Sequence, residues 1–528
     1  MESKIVVAES KFESYFMAFH FIIYYAGAWI IFTSLFFNYL LELSLDYMFF
    51  SFFGISTILC GIFWGKIFSK VQNPLFFSIL NIPVGVCCLV FWLLNSTVLF
   101  IINCLIFGFL AVSIFMGSQY YLKTVFPIYK RGKTFGLFMF IYAIIVICFT
   151  FIVILFPARF FFLFFGIIFL ITGSLGFFLW KKSPIQLVKT EKKESIFETS
   201  IDRKDSIYYL IAIFIFTFIL GIAIWQVSTS PTIHQLIMDA GALIIGDLAY
   251  TASGVESVTL FAMSGVLVIS IPAGVLMDRI GRKELWISSL IFLGLGLSLF
   301  GLIVAPEICI LTFIIGGIGI GIFLNCIVVT FIDLPDAQSR LYIGRSWSIY
   351  FLGIMSGIGF SMMTIMIDPT YISLIIMFTC FIAIFSVLHA KETLPSKEER
   401  EWRDCIQYLL LIHMDGICLI HHPFIEIELG DQDLIAGGLT GIISLVQEMT
   451  KSKERIEILS QKDFKMLLNY GKYTTAVILS TKDLKILHTK LDQFIFEFED
   501  LFQEFLTDWT GSISIFKPAE RLIIRFFK

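Results

Sequence analysis

The stretch GVLMDRIGRK, residues 274–283, ends an apolar run on a cluster of charge. Residues 256–277 before the cluster and 284–305 after it are each apolar over about 20 residues, the length that crosses a bilayer. The ten residues therefore read as a tight loop joining two membrane spans. Hydrophobic residues make up 58% of the 528-residue chain, phenylalanine occurs 60 times and charged residues account for 15%. That balance excludes an ordinary soluble protein.

Working outward from the loop, spans are predicted at 15–38, 46–68, 74–94, 97–121, 134–156 and 158–180, and again at 207–227, 256–277, 284–305, 307–331, 344–367 and 370–390. Between the two sets lies KKSPIQLVKTEKKESIFETSIDRKDS, residues 181–206, a polar linker without sustained apolar period. The expected organisation is a helical half over 1–180, the linker 181–206, a second half over 207–390, a short linker over 391–402 and a soluble domain over 403–528. The N-terminal residues MESKIVVAESKFES show no cleavable leader pattern. Basic residues crowd into alternate loops: Lys66 and Lys70; Lys123, Lys130, Arg131 and Lys133; the linker; Arg279, Arg282 and Lys283; Arg340 and Arg345. These loops are expected on the cytoplasmic side of a cell membrane, which puts both termini there too.

Written as Gly-x-x-x-Asp-Arg-x-Gly-Arg-Lys, the opening stretch resembles the cytoplasmic signature of the major facilitator superfamily, in the copy after the eighth span. Gly274, Asp278, Arg279, Gly281, Arg282 and Lys283 fall where that family puts them. A basic loop obeying the positive-inside bias accounts for Arg282 and Lys283, but not for Asp278 or the glycines. The resemblance implies an all-α bundle of six plus six transmembrane helices and a gate. Asp278 is expected at the exposed amides of the fifth span, near Lys133 to Gly136, where the helix dipole favours a carboxylate. Gly281 would allow the turn and Gly274 a close helix approach. The matching place in the first half, GIFWGKIFSK over 61–70, keeps Gly61 and Lys66 but has Gly65 at the acidic position and Phe68 at the second glycine. PIYKRGKTFG, residues 127–136, is similar to the step between spans four and five of that family.

The family's central cavity is lined by spans one, four, seven and ten. The candidate cavity residues are accordingly His20, Tyr24, Tyr25 and Trp29; Asn103 and Gln119; Trp225 and Gln226; and Asn325. With few carboxylates in the bilayer interior, such a cavity suits a neutral or amphipathic solute. The GGIGIG run at 316–321 lies inside a span, so close helix packing explains it better than nucleotide binding. The long outer segment 227–255 is expected to hold a short surface or re-entrant helix at 238–249, with His234, Asp239 and Asp247 as solvated loop residues. The ten cysteines form no Cys-x-x-Cys pair and read as small buried apolar residues. No catalytic set, metal site, cofactor motif or nucleic-acid signature is expected.

Beyond KETLPSKEER, residues 391–400, the composition becomes that of a small globular domain. Two strands joined through Asp415-Gly416 lead to a helix at 432–450, capped by Asp431, with Leu434, Leu439, Ile442, Ile443 and Val446 on its apolar stripe. Strands at 454–460, 464–470 and 473–480 follow, then a helix at 482–508 and a short element near 518–527. This order resembles the longin and roadblock group, α/β (α+β) domains with a five-stranded antiparallel sheet, and implies a cytosolic platform for dimerisation or for small GTPases. Two functions stay open: a carrier for a small solute working by alternating access, and a transporter-like receptor or scaffold that presents residues 403–528 to partners.

Overall fold

The structure, a computed structural model, describes residues 46–68, 75–93, 96–126, 128–155, 158–182, 203–246, 254–299, 305–334, 336–364, 369–425, 431–450, 456–462, 464–507, 509 and 511–527. The predicted first span, with His20, Tyr24, Tyr25 and Trp29, lies outside the described residues, as do Asp247 and most of the 181–206 linker. The chain divides into two compact units, residues 1–394 and 395–528.

The first unit contains α1 (Asp46–Phe68), α2 (Leu75–Ile79), α3 (Asn81–Leu93), α4 (Thr97–Val125), a 3-10 turn (Ile128–Lys130), α5 (Arg131–Leu155), α6 (Ala158–Lys182), α7 (Arg203–Thr229), α8 (Pro231–Ile245), α9 (Gly254–Arg279), α10 (Arg282–Ser298), α11 (Pro306–Ile332), α12 (Asp336–Met363) and α13 (Pro369–His389). Among the described residues, eight helices are long and apolar enough to cross a membrane. The predicted third span is broken at Leu80 into α2 and α3. Pro83 has no N–H and crowds the carbonyl four residues back, so the helix restarts with Val84 donating to Leu80 O at 3.3 Å. In the outer segment, the helix begins at Pro231, seven residues before the predicted start, and ends at Ile245. Ser230 accepts a hydrogen bond from the Ile233 N–H and Pro231 holds the first helical position. That Ser-Pro start signal was readable in the sequence. Ile233, Ile237 and Ala240 of α8 are buried against the bundle.

Without a hydrophobic drive between helices in lipid, close packing through small residues decides which helices pair. The run at 316–321 shows this on two faces. A Cβ on Gly319 would lie 2.6 Å from Leu293 N of α10, and one on Gly321 would lie 3.1 Å from Val266 Cα of α9. Phe216 of α7 stacks on Phe323 of α11 at 3.7 Å, and the Trp286 indole donates to Thr330 Oγ1 at 2.9 Å. Nine of the cysteines are buried, while Cys148 is exposed on the bundle's outer surface.

The second unit contains the short helices α14 (Lys397–Arg400) and α15 (Trp402–Cys405), then β1 (Ile406–His413), β2 (Cys418–Pro423), α16 (Gln432–Thr450), β3 (Ile458–Gln461), β4 (Phe464–Tyr470), β5 (Thr474–Ser480), α17 (Lys485–Leu501), α18 (Gln503–Thr507) and α19 (Glu520–Phe527). The five strands form one antiparallel sheet in the order β2-β1-β5-β4-β3. Gly416 turns the first hairpin at φ 85°, a conformation that favours glycine. α16 buries Ala436 and Leu439 against the sheet, while Leu434 and Ile442 of the predicted stripe are exposed. The buried face is centred about one residue away from that stripe because Ile435, Ala436, Leu439 and Ile443 meet Tyr408, Leu410 and Val477. The predicted 482–508 helix is interrupted at Phe502.

Glu499 of α17 ties the β4–β5 turn down. Its carboxylate accepts from the N–H groups of Lys472, Tyr473 and Thr474 at 2.9, 2.8 and 2.9 Å, and from Thr474 Oγ1 at 2.9 Å. Glu499→Ala is expected to destabilise this unit by about 2 kcal/mol, because it strands several half-buried donors at once. Amide exchange at Lys472, Tyr473 and Thr474 would accelerate selectively; unchanged exchange there would show that the turn holds itself.

Candidate functional site: a charged latch between the helical halves

At the end of the bundle where α4 and α9 finish and α5 and α10 begin, five charged side chains from both halves meet. The carboxylate of Asp278 accepts from Gly132 N at 3.0 Å and Lys133 N at 2.7 Å, so it caps the start of α5. Those amides have no partner inside their own helix, and the helix dipole adds attraction. Arg282 approaches the same carboxylate at 3.2 Å and turns its Nε to Asp333 at 2.9 Å. The other oxygen of Asp333 meets Arg131 at 3.0 Å. A single carboxylate thus holds one guanidinium from each half, and both Asp333 and Arg282 are fully buried.

Backbone carbonyls take up the remaining donors. Arg282 donates to Ile128 O at 2.9 Å and to Met277 O at 2.5 Å. Arg131 donates to Phe126 O at 2.9 Å and to Lys123 O at 3.0 Å. Lys123 of α4 reaches across to Leu334 O at 2.5 Å. Charges this deep persist only when paired and hydrogen-bonded, because desolvation costs several kcal/mol per ion. Chemically, the arrangement is a set of buried, non-covalent charge pairs joining the two halves.

Glycines let the backbones come close enough to form it. A Cβ on Gly132 would lie 2.6 Å from Asp278 Oδ1, one on Gly136 would lie 2.5 Å from Ser270 O, and one on Gly274 would overlap Gly132 O. Gly281 has φ 137°, and a Cβ there would collide with Glu392. Glu392 caps α10 by accepting from Arg282 N at 3.0 Å and Lys283 N at 2.9 Å. Lys283 also donates its ammonium to Leu388 O at 2.7 Å, whereas Arg279 is exposed. Gly274→Ala is expected to cost the closed arrangement about 1–3 kcal/mol through overpacking. Gly359→Ala, where nothing lies within 4 Å of the new Cβ, is the silent control. Equal melting temperatures for the two variants would show that the crossing yields easily.

The counterpart crossing joins α1 to α12. A Cβ on Gly61 would lie 2.6 Å from Gly344 O, and one on Gly65 would lie 3.5 Å from Gly344 Cα and 3.7 Å from Arg340 O. Ser348 Oγ donates to Ile58 O at 2.7 Å. Here glycine stands at the acidic position, so helix meets helix directly and no carboxylate of α1 caps α12.

The described candidate cavity residues do not converge. Asn103 donates to Cys87 O at 2.8 Å within the first half, Gln226 to Ser361 Oγ at 3.2 Å within the second, and Asn325 to Gly321 O at 2.8 Å within its own helix. Trp225 packs on Ile354 and Ile358. Gln119 is fully buried on α4. Sequence reasoning placed Asp278 and Arg282 in a gate but not Asp333, Arg131, Lys123 or Glu392. The available signal was Asp333 itself, a carboxylate at the very end of an apolar span. No group of three or more His, Cys, Asp or Glu residues among the described residues has the geometry to hold a metal ion.

Two helical halves that meet at paired small-residue crossings and share buried charge at one end form a helical bundle with the fold of the major facilitators, a class of transporters rather than enzymes. The sequence profile described as Major Facilitator Superfamily matches residues 236–447. The match runs past the membrane unit into α16, whose residues 432–446 are apolar like a short span. A solved structure, the human organic anion transporter MFSD10 (TETRAN), superposes with a TM-score of 0.55 at 12% identity, covering 70% of this chain and 98% of that one. No curated protein sequence matches the chain.

Proposed function

We propose that this protein is a secondary transporter that moves a small solute by alternating access, with the cluster around Asp333 as its gate and the second unit as a cytosolic interaction domain. The observation that carries the reading is the sharing of Asp333 between Arg131 of one half and Arg282 of the other. Rocking of the halves about a midplane site must separate these groups on one side of the membrane. The α5–α9 crossing is the charged lock, whereas at the α1–α12 crossing glycine replaces the capping carboxylate. The basic residues of this end place it at the cytoplasm, and a cell membrane is the expected location.

For the second unit, the sheet order β2-β1-β5-β4-β3 supports the longin and roadblock resemblance. On α16, Leu434, Ile442, Leu445 and Met449 are exposed and form an apolar face suited to a protein partner or to dimerisation. That face also favours the second reading, a scaffold with a transporter-like body. Solute exchange by the full chain in proteoliposomes separates the two. A carrier accumulates some member of a panel of sugars, amino acids, nucleosides, organic anions and lipophilic compounds, and loses that activity with Asp278→Ala. The organic anion named for the structural neighbour belongs in the panel. Absence of any flux, with partners retained by residues 395–528, would establish the scaffold.

A further inference from the structure

Gln119 is the feature the latch does not explain. It is fully buried, and neither its amide nitrogen nor its amide oxygen has a hydrogen-bond partner among the described residues. Leaving one buried polar atom unpaired costs about 1–3 kcal/mol, and here one side chain strands two. On α4 it shares a face with Phe115, one turn before it, and Lys123, one turn after it. Phe115 stacks on Trp347 of α12 at 5.1 Å, and Lys123 donates to Leu334 O. Both neighbours on this stripe therefore point at the second half, and Gln119 lies between them. The indole N–H of Trp347 is also buried without a hydrogen-bond partner among the described residues. Beside it stands Tyr350, ring centroids 5.3 Å apart.

We propose that Gln119 and Trp347 are the polar contacts of a binding site for a neutral, planar compound carrying an amide-type donor and acceptor side by side. The inference deepens the carrier reading and rests on it. A primary amide offers a donor and an acceptor together, and only a ligand with the complementary pair satisfies both. A carboxylate would meet the donor but face the amide oxygen with negative charge; an ammonium would do the reverse. The aromatic faces of Phe115, Trp347 and Tyr350 favour a flat ring by offset stacking. Lys123 points its ammonium at Leu334 O, one turn beyond Gln119 towards the latch.

The test uses the purified full chain with three benzene-ring probes that differ in their head group: benzamide, benzoate and benzylamine. Benzamide is expected to bind at least tenfold more tightly than either charged analogue in equilibrium dialysis. Gln119→Leu is expected to weaken benzamide tenfold or more while raising the melting temperature of the ligand-free protein by roughly 2 °C, since two stranded atoms disappear. Trp347→Phe keeps the ring but not the N–H and is expected to weaken binding as well. Tighter binding of benzoate or benzylamine, no binding of benzamide, or a Gln119→Leu variant of unchanged affinity would overturn the proposal. Proteoliposome flux keeps the two readings apart. Transport of another solute class untouched by Gln119→Leu sinks this site and leaves the carrier standing. Benzamide binding that depends on Gln119, without flux of any solute, sinks the carrier and leaves the site.

Discussion

Asp333→Asn is expected to cost the membrane body about 3–5 kcal/mol, the largest single loss in the molecule, because it leaves two buried guanidiniums facing one neutral amide. Arg282 retains Asp278 at 3.2 Å, while Arg131 loses its 3.0 Å contact with the Asp333 carboxylate. Purified full chain would melt at a clearly lower temperature. The double variant Arg131→Gln/Asp333→Asn is expected to recover part of the loss, since both partners of the Arg131–Asp333 pair are then neutral. A coupling of about 1–3 kcal/mol between the two sites is the expected reading. Strictly additive losses would show that the two residues act independently, and the shared carboxylate would lose its role as the bond between halves.

Asp278→Ala acts on the gate rather than on the whole body. It removes the acceptor for Gly132 N and Lys133 N and one partner of Arg282, while Asp333 still holds Arg282. The closed arrangement is expected to lose about 3 kcal/mol, equivalent to a shift of roughly a hundredfold in its population. Ser339→Cys reports the shift well, because Ser339 is fully buried at the start of α12, close in sequence to Leu334. In the Asp278→Ala background, its labelling by a water-soluble thiol reagent is expected to accelerate by tenfold or more, and solute flux to fall because the carrier no longer closes on that side. Asp278→Asn keeps one acceptor oxygen and is expected to lie between. Labelling that stays as slow as in the parent would remove Asp278 from the gate and leave it a helix cap.

Eight of the twelve predicted membrane spans recur among the described residues as helices long and apolar enough to cross a bilayer, because crossing depends on apolar length, which is local. The second predicted span and α1 share the same bounds, Asp46–Phe68. The strands of the second unit were legible for a similar reason, since alternation and an Asp-Gly turn are short-range signals. The break at Leu80 and the early start of α8 had local signals too, Pro83 and Ser230-Pro231, which the apolar run obscured.

Other features depended on distance in the chain. Arg131 and Asp333 stand about 200 residues apart in the sequence and meet at 3.0 Å, and Gln119 is set apart only by what fails to reach either of its amide atoms among the described residues. By itself the sequence determined which segments leave water, because transfer free energy is summed residue by residue along the chain. Only the tertiary structure decided which charges neutralise one another and which polar atoms go without a partner, because both depend on how closely glycine-lined helices from opposite halves approach.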